Sequence, residues 1–307
     1  MLYSILAAHS DLLVNLGRRP GRNWKDFLYV YPGISRRAGG VSIGINLSPD
    51  KVCNFNCVYC EVDRRIQPRV REVRVEMLEA ELRAMLQIWQ SGVLFEQEPF
   101  ASAPSAFRLL KQITFSGDGE PTASPIFEQA VAVAARVRNE LAPPDCQLVL
   151  ITDSACLERS GVRAGLEMLR SVPHQIWAKL DAGTEAYYRE VNRSQVPYER
   201  ILQNLESTAK QFPLIVQSLF LSIRGIGPST EEIEAYCDRL EAIRRAGGQI
   251  LGVQLNTIAR RPPVDWATAI SDEELERVAA QIKKRNGLPQ QLSYAHGYHV
   301  SRQAGGA

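Results

Sequence analysis

Short apolar runs recur along the chain, and each is followed by a longer amphipathic stretch. Six such runs cover residues 42–47, 112–115, 148–152, 176–180, 214–223 and 250–258. Apolar strands with little alternation, separated by helices, are typical of a parallel sheet covered on its outer face. The pattern therefore predicts six strand–helix units, two fewer than a closed (β/α)₈ barrel contains.

The stretches between these runs carry apolar residues at helical spacing. Helices are predicted around 78–89, 126–141 and 161–171, in segments up to about residue 211, and after the last two strands. The last two predicted helices each begin with a Ser-x-x-Glu capping box, at Ser229 with Glu232 and at Ser271 with Glu274. In a capping box, serine and glutamate satisfy free backbone N–H groups at the start of a helix.

Composition agrees with a globular protein and excludes a membrane-spanning one. The 307 residues are 45% hydrophobic and 23% charged, and the longest apolar run, 213–223, is far shorter than the ~20 residues that cross a bilayer. Residues 1–16 lack a basic segment ahead of their apolar stretch, so they predict a helix rather than a signal peptide. We therefore expect a cytoplasmic protein.

Arginine is unevenly distributed, although the net charge is only +2. Three clusters stand out: Arg18, Arg19 and Arg22; Arg36 and Arg37; and Arg64, Arg65, Arg69, Arg71 and Arg74. Clustered arginine can neutralise phosphates and bind RNA. A solvated or salt-bridged surface explains the same clusters, so both interpretations stay open.

Three of the six cysteines fall within eight residues, at Cys53, Cys57 and Cys60. Three thiolates can hold three corners of a [4Fe–4S] cube and leave the fourth iron open to a ligand that is not protein. A structural zinc site requires four protein ligands, and no other cysteine or histidine sits at a Cys-x-x-Cys or His-x-x-x-His spacing that would complete one. A zinc site, an electron-transfer cluster and three unrelated core cysteines remain the alternatives.

The Cys-x-x-x-Cys-x-aromatic-Cys spacing, with Tyr59 before the last cysteine, resembles the motif of the radical S-adenosylmethionine (SAM) superfamily. The resemblance implies that the open iron chelates the amino and carboxylate groups of SAM. It also implies reductive cleavage of SAM to a 5′-deoxyadenosyl radical that abstracts hydrogen from a substrate. The implied fold is α/β, a partial (β/α)₆ TIM-like barrel of the radical SAM type, with the cysteine loop after its first strand.

The same resemblance implies SAM contacts in the loops that follow the strands. The 116–120 segment resembles the glycine-rich motif of the superfamily, and 222–227 resembles its adenine-side motif. Each of these residues can equally cap a helix or close a loop. The predicted cofactor-binding residues are Ser116, Gly117, Asp118, Gly119, Glu120, Thr152, Ser154, Lys179, Asp181, Asn192, Arg224, Ile226 and Tyr59.

Longer strings at 32–37, 44–49, 57–61, 115–122 and 179–182 are similar to the family that includes the tRNA wyosine synthases and their bacterial relatives. Wyosine synthases carry a second [4Fe–4S] cluster held by cysteines upstream of the radical SAM motif. Residues 1–52 contain no cysteine, so this chain departs from that pattern. The resemblance therefore supports the fold and the SAM chemistry rather than the wyosine reaction.

Two substrate hypotheses follow, an RNA or tRNA nucleoside held by the arginine clusters, and a small metabolite or peptide. A non-catalytic iron–sulfur protein for electron transfer or sensing is the third alternative. The implied partners are SAM and an external one-electron reductant such as flavodoxin or ferredoxin, with tRNA as a candidate substrate and no membrane.

The predicted division of the chain is an N-terminal helical and basic extension at 1–40, the barrel at 41–290 and a tail at 291–307. Cys237 lies on an apolar helix face and predicts a buried core thiol. Cys156 lies just past the third predicted strand, near the expected site.

Overall fold

The computed structural model describes residues 26–35, 37–260 and 262–294. The chain forms two compact units. Unit 1 comprises Met1–Cys53, Ile66–Ile151 and Glu158–Gln175, and unit 2 comprises Asn54–Arg65, Thr152–Leu157 and Ile176–Ala307. The predicted helix at 1–16 and the predictions for Arg18, Arg19, Arg22 and Arg36 fall outside the described residues.

Unit 1 contains four neighbouring strands and the three helices that follow them. The strand order is β1-β2-β3-β4, with β1 antiparallel to β2 and the later pairs parallel. The strands are β1 (Val30–Ser35), β2 (Gly40–Ile45), β3 (Leu110–Phe115) and β4 (Gln147–Thr152), and the helices are α1 (Val75–Gln90), α2 (Phe127–Leu141) and α3 (Ser160–Leu169).

The core of unit 1 lies between strands and helices. Ile43, Ile113 and Leu148 are fully buried on the strands, and the Phe115 ring lies 5.9 Å from the ring of Phe127 on α2. Continuous burial along the strands is the pattern of a covered parallel sheet.

A buried carboxylate on α1 fixes the chain just before β1. Glu81 Oε1 accepts a hydrogen bond from Leu28 N at 2.7 Å, and Oε2 accepts from Tyr29 N at 2.8 Å and Val30 N at 3.1 Å. Burial raises the pKa of Glu81, although the three N–H groups favour its charged form. The carboxylate thus satisfies backbone donors that would otherwise be buried without acceptors.

We expect Glu81→Ala to lower the free energy of unfolding by at least about 2 kcal/mol, because it leaves these N–H groups without an acceptor. The matched control is Glu79→Ala on the same helix, which loses ion pairs to Arg83 and Arg136. Such surface pairs contribute less than about 1 kcal/mol. Urea denaturation measures both variants, and equal losses would show that the Glu81 carboxylate does not hold this segment.

Unit 2 contains the remaining parallel strands and a small second sheet. The main order is β5-β6-β8-β10, with each pair parallel, while β7 and β9 form an antiparallel pair. The strands are β5 (His174–Lys179, in this unit from residue 176), β6 (Leu214–Leu219), β7 (Leu221–Ile223), β8 (Ile250–Asn256), β9 (Ala267–Ala269) and β10 (Gln290–Ser293). The helices are α4 (Glu185–Val191), α5 (Tyr198–Ala209), α6 (Thr230–Arg245) and α7 (Asp272–Asn286).

The six predicted strands are all present as β2, β3, β4, β5, β6 and β8, with one correction. The predicted strand at 214–223 is two strands, because the main ladder ends where Leu219 N donates to Asp181 Oδ1 at 3.0 Å. The next residues then pair with β9 as β7. Strands β1, β9 and β10 were not predicted from the pattern.

The two predicted capping boxes are half correct. Ser229 accepts from Glu232 N and Ser271 accepts from Glu274 N, as predicted. The Glu232 carboxylate does not bond to the start of its own helix, because it accepts hydrogen bonds from Gly183 N and the Thr184 hydroxyl.

Among the described helices, none is long and apolar enough to cross a membrane.

Candidate functional site

In unit 1, a buried asparagine joins the loop after β2 to the loop after β3. Asn46 Oδ1 accepts hydrogen bonds from Ser48 N at 3.0 Å and Asp118 N at 3.1 Å. Its Nδ2 donates to Asp118 Oδ2 at 2.9 Å. The glycine-rich segment is therefore attached to the chain that leads into the first cysteine.

Two glycines make this approach possible. A Cβ on Gly117 would lie 2.2 Å from Asn46 Oδ1, and a Cβ on Gly119 would lie 1.9 Å from Val52 O. No side chain fits at such distances, so only glycine lets this segment lie against the Asn46 side chain and the Val52 backbone. Val52 directly precedes Cys53, and the glycine-rich segment thus positions the backbone at that cysteine.

The predicted acidic residue of this segment has a local role. Glu120 is buried, and its Oε1 accepts a hydrogen bond from Thr122 N at 3.0 Å. Ser116 Oγ lies 3.0 Å from the Tyr31 hydroxyl. These contacts order the loop after β3, while the predicted contacts of this segment with SAM stay predictions.

In unit 2, the rest of the cysteine loop is attached to the end of α4. Asn56 N donates to Asn192 O and Val58 N donates to Val191 O, each at 2.9 Å. Cys60 N donates to Cys57 O at 3.1 Å. Backbone hydrogen bonds therefore hold this part of the loop against the end of α4.

The thiols of this loop have polar neighbours. Asn192 Nδ2 lies 3.5 Å from Cys57 Sγ, and Arg64 NH1 lies 3.6 Å from Cys60 Sγ. Burial raises the pKa of the Cys57 thiol, and the nearby Lys179 ammonium opposes that shift. All six cysteines are free thiols. Within the described residues, no three histidine, cysteine or acidic side chains are already gathered as a metal-binding group.

The Asp181 carboxylate contacts three other predicted site residues. Asp181 Oδ2 accepts a hydrogen bond from Asn192 Nδ2 at 2.7 Å and a short one from the Tyr59 hydroxyl, and Lys179 Nζ lies 3.8 Å away. Lys179 Nζ also lies 4.7 Å from the Tyr59 ring centroid. Burial, then the negative charge of Asp181, raises the pKa of Tyr59 well above its ordinary value. Asp181 thus positions Tyr59 and Asn192 around the cysteine loop.

The loop after β4 contains a buried hydroxyl, that of Ser154. Thr152 Oγ1 accepts from Ser154 N at 3.0 Å, and Asn204 Nδ2 donates to Ser154 O at 2.9 Å. The Ser154 backbone is left-handed at φ 70°. Its Oγ is fully buried, and within the described residues it has no hydrogen-bond partner. Buried hydroxyls are rarely left without a hydrogen-bond partner, so this group calls for an explanation such as a bound ligand or water.

Arg224 and Ile226 lie on the surface, and Ile226 is 74% exposed. Arg224 contacts Glu190 at 3.0 Å and the ring of Trp266, whose centroid is 5.0 Å from the guanidinium carbon. Trp266 was missed by sequence reasoning, because it follows two prolines in a stretch without periodicity. The predicted contact of Arg224 and Ile226 with adenine stays a prediction.

Solved structures share this arrangement of strands and helices. A radical SAM methyltransferase from Sphaerobacter thermophilus superposes with a TM-score of 0.58 at 15% identity, covering 87% of this chain and 70% of that one. Spore photoproduct lyase complexed with a dinucleoside spore photoproduct gives 0.54 at 9% identity, covering 88% and 80%. The chain has the radical SAM fold. The predicted fold class, a partial (β/α)₆ barrel of the radical SAM type, is confirmed.

Sequence relatives of this radical SAM-fold chain are distant. A GTPase Obg from Brachyspira hyodysenteriae is 23% identical over 256 residues, which is 80% of this chain and 32% of the relative. A UPF0026 protein from Methanocaldococcus jannaschii is 27% identical over 176 residues, 57% of this chain and 47% of the relative. The chain thus spans half or less of the length of these relatives. No protein-family model matches it.

The radical SAM-fold chain does not carry the phosphate-binding loop of a GTPase. That loop needs a Gly-x-x-x-x-Gly-Lys-Ser/Thr sequence, whose backbone N–H groups surround the phosphates. No Gly-Lys pair occurs anywhere in the 307 residues. Most of the predicted site residues lie at the ends of β2, β3, β4 and β5 or in the loops that follow them.

Proposed function

We propose that the protein is a radical SAM enzyme whose [4Fe–4S] cluster is held by Cys53, Cys57 and Cys60. The observation that carries the proposal is a Cys-x₃-Cys-x₂-Cys loop that begins after β2, the first parallel strand of a radical SAM fold. The position of the loop and the spacing of its thiols are independent features. Their agreement favours cluster chemistry over three unrelated thiols.

The residues present fit such a cluster. The donor set is three free thiols on one loop, which leaves a fourth iron without a protein ligand. Asn192 and Arg64 donate to two of the sulfurs, and such hydrogen bonds tune the potential of an iron–sulfur cluster. A reduced cluster, when bound, supplies the electron that cleaves SAM to methionine and a 5′-deoxyadenosyl radical.

The protein's own residues would bind and orient SAM. We propose that the Ser154 hydroxyl, which lacks a partner in the described residues, forms a hydrogen bond with a ribose hydroxyl of SAM. Lys179 is a candidate for the methionine carboxylate, since its ammonium lies beside Asp181 and Tyr59 in the same network. The remaining predicted contacts are part of the same proposal, and the reductant is an external one-electron donor such as flavodoxin or ferredoxin.

We favour RNA as the substrate over a small metabolite or peptide. Arg64, Arg65, Arg69, Arg71 and Arg74 are all exposed, as contact with a phosphate backbone requires. We expect binding to bulk tRNA to weaken steeply with rising salt, because each arginine–phosphate contact releases counterions. Binding that is absent at low salt, or independent of salt, would favour the metabolite or peptide alternative.

Metal analysis after anaerobic reconstitution tests the cluster itself. We expect iron and sulfide in equal amounts, near four of each per chain. Zinc without sulfide would identify a closed structural site and overturn the proposal. Iron and sulfide in a protein that never cleaves SAM would support the electron-transfer or sensor alternative.

A further inference from the structure

Two arginines and a tryptophan meet beside the β7–β9 sheet of unit 2. The guanidinium carbons of Arg193 and Arg224 lie 5.2 Å and 5.0 Å from the centroid of the Trp266 ring. Both distances are within the range of cation–π contacts. Arg224 N also donates to Trp266 O at 2.8 Å. We call these three residues the Trp266 platform.

Both arginines have an unusual backbone conformation. Arg193 and Arg224 have left-handed backbones, with φ of 49° and 50°. Residues other than glycine rarely adopt this conformation, and they keep it where the surrounding structure enforces it, often at functional sites. The fold thus holds the backbone of both arginines in an unusual conformation from which their guanidinium groups reach the same ring.

The platform carries positive charge that the carboxylates of the described residues do not fully neutralise. Arg224 forms an ion pair with Glu190 at 3.0 Å. Arg193 is exposed, and its guanidinium contacts the Trp266 ring. Within the described residues it forms no ion pair with a carboxylate. A planar guanidinium can bind a phosphate through two parallel hydrogen bonds.

The platform lies next to the cysteine loop. Trp266 and Tyr59 pack against the same buried cluster, which includes Val58 and Val191. Arg193 directly follows Asn192, whose Nδ2 is 3.5 Å from Cys57 Sγ. A ligand on the platform is therefore held close to the thiols of the candidate site.

We propose that the Trp266 platform binds a single-stranded segment of nucleic acid. Arg193 and Arg224 bind its phosphates, and a base stacks on the flat indole and guanidinium surfaces, as unpaired bases do on aromatic and arginine side chains. The bound nucleic acid would be the substrate of the proposed radical SAM enzyme, and this part of the inference rests on the proposed function. The binding itself needs neither cluster nor SAM.

The test is fluorescence anisotropy with labelled oligoadenylate and its deoxy counterpart, without SAM or reductant. We expect Arg193→Ala/Arg224→Ala to weaken binding about tenfold or more, as loss of a stacking and phosphate site does. We also expect the salt slope to fall by about 1.4, or about 0.7 for each lost phosphate contact on a single strand. If both oligomers bind, the platform recognises phosphates and base faces. If only the RNA oligomer binds, it also recognises the 2′-hydroxyl.

The matched control removes the same charge elsewhere in unit 2. Arg245 and Arg285 form ion pairs with Glu241 and Asp238, so Arg245→Ala/Arg285→Ala should bind like wild type. The inference is overturned if the platform variant binds like wild type, if the control loses as much, or if polyglutamate competes as well as RNA. Because SAM cleavage is assayed separately, failure of the proposed function does not mimic any of these outcomes.

Discussion

Cys57→Ala is expected to lose nearly all of the iron that the wild-type protein binds on anaerobic reconstitution. Two remaining cysteines of the loop cannot hold three corners of a cube. Cys57 is also the most buried thiol of the three, and Asn192 Nδ2 contacts its sulfur at 3.5 Å. Iron and sulfide analysis of purified, reconstituted protein measures the effect.

Cys237→Ala is the matched control for this substitution. Cys237 is fully buried on the core face of α6, as predicted from the sequence. Its loss should lower the free energy of unfolding by about 1 kcal/mol, as small changes in a core do, and leave the iron content unchanged. If both variants lose iron equally, the effect is one of folding, and if Cys57→Ala keeps its iron, the assignment of ligands is wrong.

The second large effect is expected for Gly119→Ala. Its Cβ would meet Val52 O at 1.9 Å and the Ser48 Cβ at 2.7 Å. The first obstacle is backbone, so the new side chain can be accommodated only if the chain before Cys53 moves. A displacement of about 1 Å at a catalytic group can lower a rate about 100-fold, and we expect at least that loss in SAM cleavage.

Gly33→Ala serves as its control. A Cβ on Gly33 would lie 3.8 Å from its nearest neighbour, Ser42 O, which is an ordinary contact. The control should therefore keep the wild-type rate of 5′-deoxyadenosine formation. A Gly119→Ala protein with that same rate would show that the glycine-rich segment does not position the cysteine loop.

The parallel strands and their helices were predictable because burial leaves a direct pattern in the sequence. β4 is largely apolar, both β3 and β4 are almost continuously buried, and the helices repeat apolar residues on one face. Strand β1 was missed because it contains Pro32 and Gly33, which are depleted in strands. Within the described sheet of unit 1, β1 is an edge strand, where proline is tolerated.

The candidate site was predictable where the chemistry lies in consecutive residues. The cysteine loop and the glycine-rich segment are both local motifs. The members of the Asp181 network were named from the sequence, but their mutual contacts were not, because Tyr59 and Asn192 meet Asp181 from positions 122 and 11 residues away in the chain. Two other features depend in the same way on tertiary contacts. One is the set of hydrogen bonds from Gly183 and Thr184 to Glu232, and the other is the contact of Arg193 with Trp266.

The most direct measurement is formation of 5′-deoxyadenosine from SAM by the anaerobically reconstituted protein with dithionite, scored by mass spectrometry beside Cys57→Ala. We expect 5′-deoxyadenosine from wild type and none from the variant. To include enzymes that need substrate for cleavage, the assay is repeated with bulk tRNA and with a cell-derived metabolite and peptide fraction. Intact SAM in every arm, in a protein with a full complement of iron and sulfide, would contradict the proposal that this is a radical SAM enzyme.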